Sequence, residues 1–497
     1  MIELSQIALT ITQISSFLFI FLVGFAFMLI AVVYVIDITQ TKQAIRRNYP
    51  VIGHLRYFFE HLGEFFRQYF FAMDREELPF NRAERSWVYR AAKNVDTTVA
   101  FGSTRDLSKP GTIIFGNCPF PKMKNDISEP RSVTIGSSCR IPYVCSSIFN
   151  ISGMSYGAIS KPAVLALSNG ARMAGCWMNT GEGGLSSYHL AGGADIVFQI
   201  GTAKYGVRDP EGKLDLAKLA TVASHEQVKM FEIKLSQGAK PGKGGILPAA
   251  KVNQEIATIR GIPIHTDSIS PNRHTDINSI TELLDMIELI RQHTGKPVGF
   301  KIVLGTVDWL QELFDAIDQR GQTSAPDFIA LDSGDGGTGA APMSLIDNVG
   351  LPIKQSLPIL VNALSQNDLR ERIKVIASGK LSTPIDVAWA LATGADFITT
   401  ARGFMFSIGC IQALQCNKNT CPTGITTHNK KLQQGLDPEN KAQRVRNYVD
   451  NMVHEVNSIA LSCGVNSVQE LNRKHAFIVD PQGRTIKLDQ LYNINTM

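Results

Sequence analysis

Three cysteines, Cys410, Cys416 and Cys421, fall within twelve residues at C-x5-C-x4-C spacing, and Pro422 follows the last. Clustered thiolates suit soft metals and iron–sulfur centres. Three ligands suit a three-iron cluster (3Fe-4S). A tetrahedral zinc site wants four, and His428 is the nearest residue that could complete one. Cysteines packed as small hydrophobes are the plain alternative. A second set of residues points to an anion. Lys234 and Lys301 lie inside apolar runs, where an ammonium is costly unless a counter-charge meets it. Glycine-rich stretches holding Ser155, Gly336, Gly337 and Gly379, with Lys380, Ala401 and Arg402 close by in sequence, offer backbone N–H groups that can approach a phosphate. One phosphate to seat and a ring that takes a cation near its N1/O2 edge describe flavin mononucleotide, FMN.

These residues need a scaffold, and the chain spells one. From residue 148, short apolar runs alternate with glycine-rich or polar loops and helical stretches: Ile148–Ser152, Cys176–Thr180, Ile196–Ile200, Phe231–Ser236, Val298–Leu304, Phe328–Ser333, Lys374–Gly379 and Phe397–Arg402. Near-continuous apolar strands alternating with helices predict a parallel sheet covered on both faces. Eight such units predict an α/β fold of the closed (β/α)8 TIM-barrel type. An open doubly wound sheet is the runner-up, but no G-x-G-x-x-G follows the first strand. In a barrel, chemistry sits at the carboxyl ends of the strands, and a phosphate is commonly seated by the loops after strands seven and eight, where Lys380 and Arg402 fall.

The chain has 497 residues, net charge +5 and 44% hydrophobic residues, a globular composition with one greasy segment. No basic run suggests a nucleic-acid groove. Eight cysteines in so long a chain are no disulfide framework and fit a reducing compartment. Residues 17–36 carry no charge, and at ~1.5 Å per residue they span ~30 Å, the hydrocarbon thickness of a bilayer. A signal peptide is the rival reading, but the first six residues carry Glu3 and no Lys or Arg. Lys42, Arg46, Arg47 and Arg56 follow the run, so a single-pass anchor with its catalytic domain in the cytoplasm is expected. Aromatic residues from His54 to Phe71 recur at helical spacing, which predicts an amphipathic helix that packs on the barrel or lies in the membrane interface.

The stretches GMSYGAIS, NTGEGG, KYGV, EIKLSQGAKPGKGG, DGGTGA and GCIQALQCNKNTCPTG, in this order over about residues 148–470, resemble the FMN-binding synthase domain of glutamate synthase. The N-terminal segment with NYPVIGH resembles a shorter, membrane-attached branch of that family. The resemblance implies FMN and a 3Fe-4S cluster on Cys410, Cys416 and Cys421. It implies catalytic roles for Glu182, Lys234, Lys240 and Arg260, with Lys234 and Arg260 on the carboxylates of 2-oxoglutarate and Lys240 between flavin and cluster. Gly336, Gly337, Gly379, Lys380, Ala401 and Arg402 would line the FMN phosphate, and Lys301 would lie towards the ring. Two departures stand out: Ile246 occupies a place where the family typically has Gln, and SPPPHHD is here Ser270–Asp276. The amidotransferase and β-helix domains of the family are not in this sequence, so no glutamine hydrolysis is expected.

The expected organisation is an anchor (1–40), an amphipathic helix and lead-in region (41–147), the barrel (148–470) and a tail (471–497). The expected function is reductive amination of 2-oxoglutarate to glutamate, an oxidoreductase acting at a CH–NH2 carbon, with electrons from a ferredoxin-like protein or a separate reductase. A membrane-bound FMN/iron–sulfur oxidoreductase for another oxoacid or amino acid is the alternative. A degenerate barrel serving as a tethered binding module is a third reading, and it predicts colourless protein.

Overall fold

The computed structural model describes residues 2–126, 128 and 130–492. The chain divides into two units, residues 1–83 and 84–497.

In the first unit, helix α1 (Ile2–Thr39) is long and apolar enough to cross a membrane. Phe17, Phe19 and Phe21 on it are exposed. Near its end Asp37 is buried, accepting from the Val51 N–H at 2.8 Å and meeting His54 Nε2 at 2.9 Å. The contact ties α1 to helix α2 (Gly53–Phe66), which runs on through a wider turn to Phe71. The aromatic periodicity is thus a helix, and Phe58, Phe59 and Phe70 on it are exposed.

The second unit is organised around a closed barrel of eight parallel strands. They are β1 (Phe149–Ile151), β2 (Met178–Asn179), β3 (Ile196–Ile200), β4 (Val228–Lys234), β5 (Val298–Val303), β6 (Phe328–Asp332), β7 (Lys374–Ser378) and β8 (Phe397–Thr400). The ring closes where Ile398, Thr399 and Thr400 stand opposite Phe149, Asn150 and Ile151. All eight predicted runs are strands, and the TIM-barrel expectation holds. Their buried, β-branched and aromatic residues are what a sheet covered on both faces requires.

Trp177, Val197, Met230, Phe328, Ile376 and Phe397 fill the lower barrel. A hairpin of Val133–Ile135 and Tyr143–Cys145 inserts Ile135, Tyr143 and Cys145 into the same cluster. The lead-in region therefore supplies the barrel's floor. Residues Ile113–Phe115 pair antiparallel with Ala476–Val479, which in turn pairs with Thr485–Lys487. Residues 493–497 of the expected tail lie outside the described residues.

Helix α3 (Lys161–Ala174) starts on a Ser160 cap with Pro162 in its first turn and stops at Gly175 in the left-handed region. It packs closely on helix α4 (Pro438–Ser462) at Gly170, where an added Cβ would lie 2.4 Å from Val445 Cβ and 2.8 Å from the Ala442 carbonyl oxygen. A Gly170→Val protein should lose about 1–3 kcal/mol to overpacking, read as a lower urea midpoint of the full chain.

Candidate active site

The carboxyl ends of the strands gather the polar residues that the sequence singled out. The register places Lys301 on β5 directly beside Lys234 on β4. Each ammonium meets its own carboxylate: Lys234 Nζ lies 3.0 Å from Glu182 and Lys301 Nζ lies 3.1 Å from Asp332. Lys234 also donates to Gln237 Oε1. Burial lowers the proton affinity of Lys301, but Asp332 and Glu232 outweigh it and leave the ammonium held above the ordinary lysine range. Glu232 itself accepts from Asn179 Nδ2 at 2.9 Å and Gln199 Nε2 at 2.6 Å.

Glu182 sits on a tight turn after β2, and glycines frame it. A Cβ on Gly245 would lie 2.2 Å from its Oε1, and one on Gly201 2.5 Å from its Cβ. Burial pushes this carboxyl up, yet Lys234, Lys240 and Arg260 together hold it below the usual carboxylate range. Lys240 is buried, and burial with the nearby Lys234 charge depresses it to about 8, against the pull of Glu182.

Arg260 closes the short helix Gln254–Arg260 and points inward. It donates to Ser268 Oγ at 2.9 Å, and its Nη2 lies 3.4 Å from both Ser155 Oγ and the Tyr156 carbonyl oxygen. Its guanidinium also stands over the Tyr205 ring, 5.1 Å from the centroid. Ser155, Glu182, Lys234, Lys240 and Arg260 therefore form one neighbourhood.

The loops after β6, β7 and β8 converge beside it. Gly337, Gly379, Lys380, Ala401, Arg402 and Lys301 share one cleft. Gly379 has φ +116°, and a Cβ there would fall 2.1 Å from Ser333 Cβ. A Cβ on Gly337 would fall 2.9 Å from Arg402 Nε, and one on Gly336 2.7 Å from the Ser333 carbonyl oxygen. Lys380 and Arg402 do meet, on Asp335: the ammonium at 2.8 Å from its carboxylate and Arg402 Nη2 at 3.3 Å from its carbonyl oxygen. Side-chain-free backbone beside two cations fits a flavin phosphate.

The three cysteines are brought close enough for their charges to act on one another. Burial raises Cys410 to about 12 and also raises Cys416. Cys421 is lowered: burial opposes the thiolate, but Thr423, Thr426 and their backbone N–H groups outweigh it. The Gln412 N–H donates to Cys410 Sγ at 3.5 Å. Three sulfurs with hydrogen-bond donors around them fit an iron–sulfur cluster. Among the described residues no three His, Cys, Asp or Glu gather around a single-ion site. His428 Nε2 is engaged with the Gly157 carbonyl oxygen at 2.9 Å, so the zinc alternative finds no support here.

Asp332, Asp335, Glu232 and Ser268 were not among the residues singled out from sequence. The signal for the first two was present: a lysine inside a strand demands a carboxylate, and the D-S-G-D-G-G run supplies two.

The family model described as "Conserved region in glutamate synthase" matches residues 121–466. A glutamate synthase large subunit-like protein, YerD, of Bacillus subtilis is 40% identical, over 95% of this chain and 96% of the relative. The archaeal glutamate synthase [NADPH] of Methanocaldococcus jannaschii is 36% identical over 65% of this chain, and the match spans 60% of that relative's length. Among solved structures, mandelate oxidase with benzoyl-formic acid aligns over 80% of this chain and 98% of its own at 16% identity, with a TM-score of 0.46.

Replacing Asp332 with Ala leaves the Lys301 charge buried without its closest carboxylate. The expected cost is about 3–5 kcal/mol in urea unfolding. The double variant Asp332→Leu, Lys301→Met should recover most of that loss.

Proposed function

Because the chain belongs to the glutamate synthase family, we propose that it is an FMN- and 3Fe-4S-dependent oxidoreductase that forms glutamate from 2-oxoglutarate and free ammonia. One observation carries the substrate class. Lys234, Lys240 and Arg260, all buried, surround one carboxylate, Glu182. The surplus positive charge suits a small dianion, and 2-oxoglutarate is one.

Gly336, Gly337, Gly379, Lys380, Ala401 and Arg402 would hold the FMN phosphate, Ser155 and Lys301 would lie along the ring, and Cys410, Cys416 and Cys421 would hold the cluster. When bound, FMN supplies hydride chemistry and the cluster supplies one-electron transfer. The chain's own part is positional and acid–base. Lys234 and Arg260 orient the two carboxylates, and Glu182 fixes Lys234 while staying ionised. Lys240 Nζ holds a proton beside the substrate, and a group titrating near 8 is well matched to giving it up. A ferredoxin-like protein or a separate reductase would supply the electrons. Helix α1, followed by Lys42, Arg46 and Arg47, would anchor the enzyme by a single span with the barrel in the cytoplasm.

A second reading, another oxoacid or an amino acid, is favoured by one feature. Ile246 pairs antiparallel with Ile269 in a short two-stranded ladder, both side chains are exposed, and Ile246 follows the Gly245 that abuts Glu182. An apolar pair at that place suits a substrate with an apolar tail.

The test is to purify the full chain anaerobically in detergent and assay flavin, iron and sulfide. The photoreduced protein is then mixed with oxoacids and ammonium while flavin absorbance is followed. Reoxidation by 2-oxoglutarate with ammonium is expected. Reoxidation only by apolar oxoacids would move the reading to the second one, and colourless protein would remove both. Cys416→Ser should lose iron and sulfide while retaining flavin.

Lys240 carries its proton below about 8 and loses it above. Turnover should therefore fall as pH rises through that value. In Lys240→Arg the limb should be absent, with kcat lowered about 10²–10⁴-fold and KM for 2-oxoglutarate little changed.

A further inference from the structure

A cavity of about 920 Å³ opens beside the first residue of β7 and the turn leading into β8, at the opposite end of the barrel from the candidate active site. Six cations line it: Arg131, Arg370, Arg372, Lys374, Arg473 and Lys474. The acids are three: Glu371, Asp396 and Asp489. The plain reading of charges at the base of a barrel is stability. It accounts for Arg370, which lies 3.0 Å from Asp396, and for Arg372, 3.0 Å from Asp327.

The plain reading does not account for the rest. Arg473 is half-buried and gives its N–H groups to neutral acceptors, Asn362 Oδ1 at 2.6 Å, the Tyr492 carbonyl at 2.9 Å and the Thr393 carbonyl at 3.2 Å. Among the described residues no carboxylate lies within ion-pair distance of it. Lys374 Nζ donates to the Glu371 carbonyl oxygen at 2.8 Å, again a neutral partner. Arg131 is exposed, with Glu470 at 3.9 Å. Cations from separate segments, gathered in a concave site, focus a positive potential that an anion would relieve. The volume is that of a small-molecule site, for which about 300–1,000 Å³ is usual.

We propose that this cleft binds a phosphate-bearing anion of nucleotide size, with the cations on its phosphate groups. The site is independent of the proposed reaction. The full chain, detergent-solubilised and flavin-replete, is titrated calorimetrically with ADP and with inorganic pyrophosphate. Both should bind. In the double variant Arg131→Ser, Lys474→Ser both affinities should fall by about tenfold or more, the loss of one or two charge-assisted contacts. Arg446→Ala, an exposed cation on α4 outside the cleft, should change neither. Absence of binding, binding indifferent to the double variant, or loss of binding in Arg446→Ala would each overturn the proposal. Unchanged thermal midpoints of the variants establish that they fold.

Discussion

Two lysines stand side by side in the barrel wall, Lys234 on β4 and Lys301 on β5 in one register. Adjacent ammonium groups repel, and burial away from water sharpens the repulsion. The arrangement persists because each has a carboxylate from another segment: Glu182 from the turn after β2 and Asp332 from the end of β6. Lys380 repeats the device with Asp335. These pairs decide which loops must meet at the mouth, so charge neutralisation and site assembly are one event.

The pairing is deliberately uneven in its effect. Inside the barrel, Lys301 has Asp332 and also feels Glu232, so that side is compensated. On the other side Lys234, Lys240 and Arg260 all act on the single carboxylate of Glu182. Arg260 is held by neutral partners, Ser268 and the Tyr205 face, which keep it in place without cancelling its charge, and its buried Nε has no hydrogen-bond partner among the described residues. This neighbourhood can thus be rigid and still carry positive potential. An arginine tied instead to a carboxylate would have its charge cancelled.

The eight strands were legible because burial on both faces leaves near-continuous apolar runs whose ends are punctuated by glycine. The second run was the least regular, and only Met178 and Asn179 pair there, since Asn179 turns its side chain to the Gly181 N–H and starts the loop that carries Glu182. Lysines inside strands could be seen; their partners could not be assigned, because Glu182 and Asp332 are 52 and 31 residues away from Lys234 and Lys301 along the chain. The floor hairpin escaped for a different reason. Its strands are three residues each, too short to show a period, and only tertiary packing on Trp177 makes them core. Lys380 and Arg402 were legible from fold position, but Asp335 between them belongs to a third loop.

The cysteine loop has a backbone that its sequence alone would not choose. Gln412, Leu414 and Asn419 all adopt positive φ, at 59°, 53° and 59°. Such residues cost of order 1–3 kcal/mol each unless the surroundings over-determine them, and Leu lacks even the local hydrogen bond that eases Asn into this region. The surroundings do so here. Lys251 Nζ donates to the Cys416 carbonyl at 2.8 Å, Thr427 Oγ1 to the Asn419 carbonyl at 2.6 Å, and the His428 N–H to Asn419 Oδ1 at 2.7 Å. Asn419 Nδ2 reaches the Ala250 carbonyl at 3.2 Å. The loop is therefore pinned from two sides, by the segment around residue 250 and by the turn after Cys421. These contacts hold the backbone that carries the three cysteines at set positions.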